Sequence, residues 1–212
     1  HNDRPLGIAY LSPDSILTIA YKPFINVGIF ARVVKMNWDG EIICDLEINI
    51  GDFEPHHDIE LLPNGNILLI GWERKTIEET IQAGRIDATD IFKPDMIYEI
   101  QVVGFSDFEI VWEWHSWDHL IQDQDSEKDN YGIIADNPRL ADINLVGIGP
   151  GSGDWLHINS ITYNEELDQI ILSIRHLCEF WVIDHSTTIE EAASHSGGQS
   201  GFGGDIIYRW GN

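Results

Sequence analysis

His57 and His157 open two stretches of the same design. His57-Asp58-Ile59-Glu60-Leu61-Leu62 runs through Pro63-Asn64-Gly65-Asn66 into Ile67-Leu68-Leu69-Ile70. His157-Ile158-Asn159-Ser160-Ile161-Thr162 runs through Asn164-Glu165-Glu166-Leu167-Asp168 into Ile170-Ile171-Leu172-Ser173-Ile174. Both read as β-hairpins with polar tips, and superposing the turns aligns the two histidines. Asn159, two residues beyond His157, shares its face in a regular strand. Arg175 ends the second strand of its hairpin, near the same rim. Two imidazoles, a carboxamide and a guanidinium suit an anionic, oxygen-rich ligand. Arginine offers a bidentate fork, and histidine can hand over a proton or attack. A lone histidine at a strand start is more often structural; repetition at matched positions favours a functional role. His56 and His57 face opposite ways in a regular strand, so one of the two enters the site, and His57 is preferred.

The remaining chemistry is sparse. His115 and His119 stand four apart beside an expected helix, a metal-compatible spacing, but no third ligand accompanies them, so packing is the preferred reading. His176, His185 and His195 sit in loops or at strand ends and read as structural. No GxSxG, CxxC, HExxH or GxxxxGK[ST] occurs, which leaves serine hydrolase elbows, zinc ribbons, zincins and P-loops unsupported. The glycine-rich run 149–153 opens no helix after a strand and reads as a loop rather than a phosphate cradle. The acidic stretch 118–129 lacks the EF-hand spacing and reads as solvated surface. No metal and no cofactor is expected. Cys44 and Cys178 lack ligand-like spacing, and a disulfide and two buried thiols stay equally open.

The elements that must hold these groups repeat about three times. Gly40-Glu41-Ile42-Ile43-Cys44-Asp45-Leu46, Phe108-Glu109-Ile110-Val111-Trp112-Glu113-Trp114 and Gly204-Asp205-Ile206-Ile207-Tyr208-Arg209-Trp210 share an acidic residue, β-branched residues and a large apolar end. Each follows a turn signal, as a strand should. In the first unit, Ser15-Ile16-Leu17-Thr18-Ile19-Ala20 supplies the second strand of the hairpin. Four antiparallel strands per unit predict an all-β fold, a β-propeller, with blades near 3–50, 54–115 and 154–212. In a propeller the first strand of each blade lines the central channel, which is where His57 and His157 start. Short helices are expected at 76–84, 116–123 and 187–194, within a polar insertion at 116–153 and between strands; Thr188 is a natural cap. The stretch 124–153 reads as a long excursion of functional or disordered kind. Three blades cannot close a ring, so the 212 residues read as a single partial domain of a longer protein.

Composition narrows the partners. The net charge of −24 cannot neutralise a run of phosphates or dock on anionic lipid, which excludes nucleic acid and membrane surface. With 43% hydrophobic residues and 8 Trp, the chain has ample material for a core and is not disordered. No apolar run approaches the roughly 20 residues that span a bilayer.

Several blocks resemble the bacterial arylsulfate sulfotransferase family. They are Asp154-Trp155-Leu156-His157-Ile158-Asn159-Ser160-Ile161 with the strand ending at Arg175, His56-His57-Asp58 before Pro63-Asn64-Gly65-Asn66, Trp112-Glu113-Trp114-His115-Ser116-Trp117-Asp118-His119-Leu120-Ile121-Gln122-Asp123, and Tyr208-Arg209-Trp210-Gly211-Asn212. The likeness runs from about residue 30 onward. It implies a six-bladed propeller that moves a sulfuryl group from a phenolic sulfate ester to a phenolic acceptor, without a nucleotide donor. It further implies that His157, Asn159 and Arg175, with one of His56 and His57, bind and polarise the sulfate. Aromatic donors and acceptors would pack on apolar channel walls, where Trp155 is a candidate contact, a core position being at least as good a reading. The family's nucleophilic histidine has no counterpart here, so the fragment alone is expected to be inactive. Periplasmic or secreted placement follows by analogy with the family, and a homodimer is compatible with the reading. Two rivals remain: a non-catalytic propeller that binds a glycan or protein, and a propeller hydrolase or lyase acting on an anionic substrate.

Overall fold

The computed structural model describes residues 4–22, 31–88, 90–145 and 153–211. The glycine-rich positions 149–152 therefore lie outside the described residues. Three four-stranded antiparallel sheets make up the all-β body, each with its strands in chain order. The first holds β1 (Arg4–Leu11), β2 (Leu17–Lys22), β3 (Ala31–Met36) and β4 (Ile42–Ile48). The second holds β5 (Glu54–Leu61), β6 (Ile67–Trp72), β7 (Asp95–Val103) and β8 (Asp107–His115). A parallel pair follows, β9 (Leu120–Ile121) with β10 (Ala141–Asp142). The third sheet holds β11 (Ile158–Asn164), β12 (Gln169–Ile174), β13 (Glu179–Asp184) and β14 (Tyr208–Gly211). Two short α-helices, α1 (Ile77–Gln82) and α2 (Ile189–Ala192), and two 3-10 turns complete the regular elements among the described residues.

Local chemistry accounts for the hairpins. In the β5–β6 turn, Gly65 takes φ +90° and its N–H donates to the Leu62 carbonyl at 2.9 Å, a conformation that costs a side-chain-bearing residue more. Asn64 Oδ1 accepts the Asn66 N–H at 2.9 Å, which closes the tip. Both helices start on capping boxes: Thr76 with Glu79, and Thr188 with Glu191.

Central strand β6 shows how the sheets stack. Ile67 and Leu69 enter one apolar cluster with Val33, Leu46 and Ile48 of the first sheet. Leu68 and Ile70 enter the other, with Ile158, Ile170, Leu172 and Trp181 of the third. Successive side chains point to opposite faces, so a strand apolar at every position belongs between two layers. The first strands lie side by side, β5 packing against both β1 and β11. Asp58 ties all three: one oxygen accepts the Tyr10 hydroxyl at 2.9 Å and the other the Ile161 N–H at 3.1 Å. Side-by-side first strands with sheets stacked face to face are consistent with a β-propeller-like fold.

Three expectations are corrected, at the third terminal strand, the 116–123 helix and the cysteines. The third terminal strand is shorter than its sequence pattern, since 204–207 precede β14. The expected helix at 116–123 is one 3-10 turn, Ser116–Asp118, followed by β9. Its pattern is broken because Leu120 and Ile121 pair with β10 and enter the core instead. The described part of the excursion is organised around Gln122, wholly buried. Its amide donates to the Asp125 and Asp129 carbonyls at 2.8 and 3.0 Å and accepts from the Gln124 and Asp125 N–H groups. Both cysteines are free, Cys44 buried and Cys178 exposed, so neither a disulfide nor a pair of buried thiols is present.

Candidate functional site

The two matched histidines share an unusual backbone. His57 has φ +53° and His157 φ +54°, the left-handed region that L residues with side chains seldom enter. His57 lies inside a register shift of its sheet, and His157 stands immediately before one. Pairing jumps from Pro55↔Gly71 to Ile59↔Leu69 in the second sheet, and from Ile158↔Ile174 to Ser160↔Ser173 in the third. Bulges re-aim side chains, and here they break the alternation that would send His56 and His57 to opposite faces. Both rings therefore join one cluster. His56 is buried and stacks on Trp72, with ring centroids 3.9 Å apart, whereas His57 is exposed.

Contacts run along a line of imidazoles. His56 Nδ1 meets His57 Nδ1 at 3.1 Å, and His57 Nε2 meets His157 Nε2 at 3.2 Å. His157 Nδ1 is hydrogen-bonded to the Asp154 carboxylate. That carboxylate assigns the Nδ1–H to His157, so its Nε2 accepts from His57 Nε2–H, and His57 Nδ1 then accepts from His56 Nδ1–H. The result is a one-way relay ending on Asp154. Partial desolvation, then the neighbouring His56 and His157, push the His57 pKa below the usual histidine value, with Asp154 and Asp95 opposing in part. The shift favours the neutral ring that the relay uses.

Buried Asp95 fixes the frame. Its two oxygens accept the backbone N–H groups of His157 at 3.1 Å and Ile158 at 2.9 Å. It also lies 3.1 Å from His56 Nε2, though out of hydrogen-bond alignment. On the other flank, His176 packs on His157 at 4.9 Å between centroids. Its Nδ1 faces the Asp154 and Trp155 carbonyls, both at 3.2 Å, leaving Nε2 to meet Arg175 Nη1 at 3.1 Å. Arg175 itself is exposed, and its N–H donates to the His157 carbonyl at 3.3 Å.

His57, His157, His56 and Arg175 are therefore brought together. Asn159 is exposed next to the register shift, and makes no side-chain hydrogen bond to the cluster among the described residues. Trp155 is buried in the apolar cluster beside Phe92, its indole donating to the Leu145 carbonyl at 3.2 Å. Sequence reasoning missed Asp95, His176 and the part played by Asp154. Asp154 stands three residues before His157 and was legible as a neighbour; Asp95 lies 62 positions from His157, with no local signal. Asp154, His157 and His176 also present three donors within 4.8 Å, a spacing open to a metal. Both His176 nitrogens are already engaged by carbonyls and a guanidinium, which suits an anion better.

The scaffold is all-β and propeller-like, with a histidine–arginine cluster beside the first strands of its second and third sheets. The family model described as Arylsulfotransferase (ASST) matches residues 7–191, and the chain belongs to that family. No curated protein is similar enough to match. Among solved structures the chain is similar to Kuenenia stuttgartiensis hydrazine synthase, with 12% identity and a TM-score of 0.48. The match covers 96% of this chain and 49% of that one, so the chain spans about half the length of the structure it matches.

Proposed function

We propose that this chain supplies the sulfate-binding and proton-handling half of an arylsulfate sulfotransferase site, on what is part of a six-bladed propeller. The observation that carries the reading is the convergence of His57 and His157, from two bulged strands 100 positions apart, beside Arg175 in a chain of this family. In the overall reaction the S–O bond to the donor phenol breaks and a new S–O bond to the acceptor phenol forms. The acceptor's proton ends on the released donor phenol. If the sulfuryl group rests on a histidine between the two steps, that histidine belongs to a part of the protein beyond these residues. The first half then makes S–N and breaks S–O; the second reverses it with the acceptor.

Arg175 and an imidazole N–H would stabilise charge building on the sulfuryl oxygens, which preorganised donors do best in a site of low dielectric. The histidine line would pass the proton towards or away from the phenolic oxygen. With a net charge of −24, the chain as a whole repels an anion, so capture depends on the local Arg175 guanidinium beside the imidazoles.

The test is release of a coloured phenol from its sulfate ester by the complete protein, with and without a phenolic acceptor. Release that rises with acceptor is expected, and His157→Ala and Arg175→Ala should each lower turnover by at least about 100-fold with the fold intact. Release indifferent to acceptor would mark a hydrolase. No release at all would mark a binding module.

A further inference from the structure

A second histidine cluster lies outside this site. His119 follows the 3-10 turn, His195 follows α2, and Asp205 precedes β14, so three separated segments meet. His119 Nδ1 and His195 Nδ1 both lie 2.7 Å from Asp205 Oδ1. All three donor atoms fall within 4.8 Å of one another. His119 is 1% exposed and Asp205 6%, while the His195 side chain is 60% exposed.

The His119 ring is tightly fixed. It stacks on Trp114 at an interplanar angle of 7°, and Trp114 in turn donates its indole N–H to the Gly204 carbonyl at 2.7 Å. A Cβ at Gly204 would meet His119 Nε2 at 2.6 Å, so glycine is what lets the loop close over the ring. Nε2 faces the Ala192 carbonyl at 2.9 Å. A carbonyl only accepts, so Nε2 carries the hydrogen. In the neutral ring Nδ1 is then a lone pair aimed at a carboxylate oxygen, and the arrangement calls for a positive charge there, carried by a second ring proton or by a metal ion. A metal-bound imidazole is held in this way, one nitrogen ligating and the other donating to a carbonyl.

We propose that His119, His195 and Asp205 form a zinc site that pins the loop between α2 and β14 to the end of the second sheet. Two imidazoles and a carboxylate match the borderline character of zinc, and the exposed side at His195 leaves a fourth position for water. Tetrahedral bonds of 2.0–2.1 Å ask for donors about 3.3 Å apart, so both 2.7 Å contacts to Asp205 must lengthen, by a shift of the Asp205 carboxylate away from the fixed His119 ring together with movement of the exposed His195. The sequence offered only His115 with His119. Instead, His115 turns to Glu73 at 3.2 Å, and the partners of His119 come from 76 and 86 residues further on.

The experiment strips the complete protein with a chelator and dialyses it against about ten micromolar Zn²⁺ alone, the concentration set well above the affinity of a built zinc site. Bound metal and thermal midpoint are read for the wild type, His195→Ala and His157→Ala. One equivalent of zinc and a raised midpoint are expected in the wild type and in His157→Ala. His195→Ala should weaken zinc binding by at least about tenfold and lose the zinc-dependent rise, while its metal-free midpoint stays as in the wild type because the side chain is exposed. No stoichiometric zinc in the wild type overturns the proposal. So does zinc kept by His195→Ala, or zinc lost only with His157→Ala.

Discussion

Asp154 sets the direction of the histidine line, because its carboxylate takes the His157 Nδ1–H and leaves Nε2 as an acceptor. Asn in its place keeps the size and one acceptor oxygen but presents an amide N–H with nearly equal ease, so the tautomer is no longer imposed. Asp154→Asn is therefore expected to lower turnover in the complete protein by at least about 100-fold, the scale of one general acid–base function. Its thermal midpoint should stay close to that of the wild type. Unchanged turnover would show that the tautomer of His157 plays no part. His176, read from sequence as structural, packs on His157 and meets the Arg175 guanidinium, so it joins the candidate site as a brace.

Between elements, the second and third sheets are joined by His185, set between two carboxylates. Its Nδ1 lies 2.7 Å from Asp168 and its Nε2 2.8 Å from Glu99, which also accepts Asn66 Nδ2–H. Burial alone would lower the His185 pKa, but the hydrogen bonds that it donates to Glu99 and Asp168 outweigh burial and raise the value. Burial alone would raise Glu99, yet His185 and Asn66 hold it below the usual carboxylate value. His185 thus contributes stability that is whole below its ordinary value near 6.5 and is lost as pH rises through its raised value. Glu99 contributes stability that is whole above its ordinary value near 4.5 and is lost as pH falls through its depressed value. The pair His115 and Glu73 shifts in the same two senses. Urea unfolding across pH 5 to 9 is expected to show stability falling on the alkaline side. His185→Gln should flatten that fall and cost about 1.5–3 kcal/mol at pH 6, the range for hydrogen bonds to charged groups. An alkaline slope unchanged in the variant would place its origin elsewhere. The hairpins and both capped helices were legible because turn and cap chemistry is local. The 116–123 segment was not, because its helical spacing lost to pairing with a strand some twenty residues away.

Across the whole molecule, the middle sheet is covered on both faces, and β6 feeds two cores from alternate residues. Leu69→Ala opens the core shared with the first sheet and is expected to cost about 2–5 kcal/mol in urea unfolding. That is a large share of the 5–15 kcal/mol typical of a folded domain. A loss below about 1 kcal/mol would mean that the first and second sheets do not pack as described. By contrast, β12 alternates partly and fully buried positions, a strand with one face towards the core.

Local sequence was enough to write most of the strands, the repeat of hairpins, the two short helices with the Thr188 cap, and the motifs whose resemblance pointed to the family. Those signals lie within a few residues of one another, where backbone sterics and side-chain alternation leave few choices. Tertiary structure decided the site's composition. The left-handed turns at His57 and His157 cancel the alternation and gather both His56 and His57. Asp95 braces His157 across 62 positions, and His119 finds its partners 76 and 86 positions away. Contacts of that range are set by how sheets stack and where register shifts fall, and no spacing in a single sequence carries them.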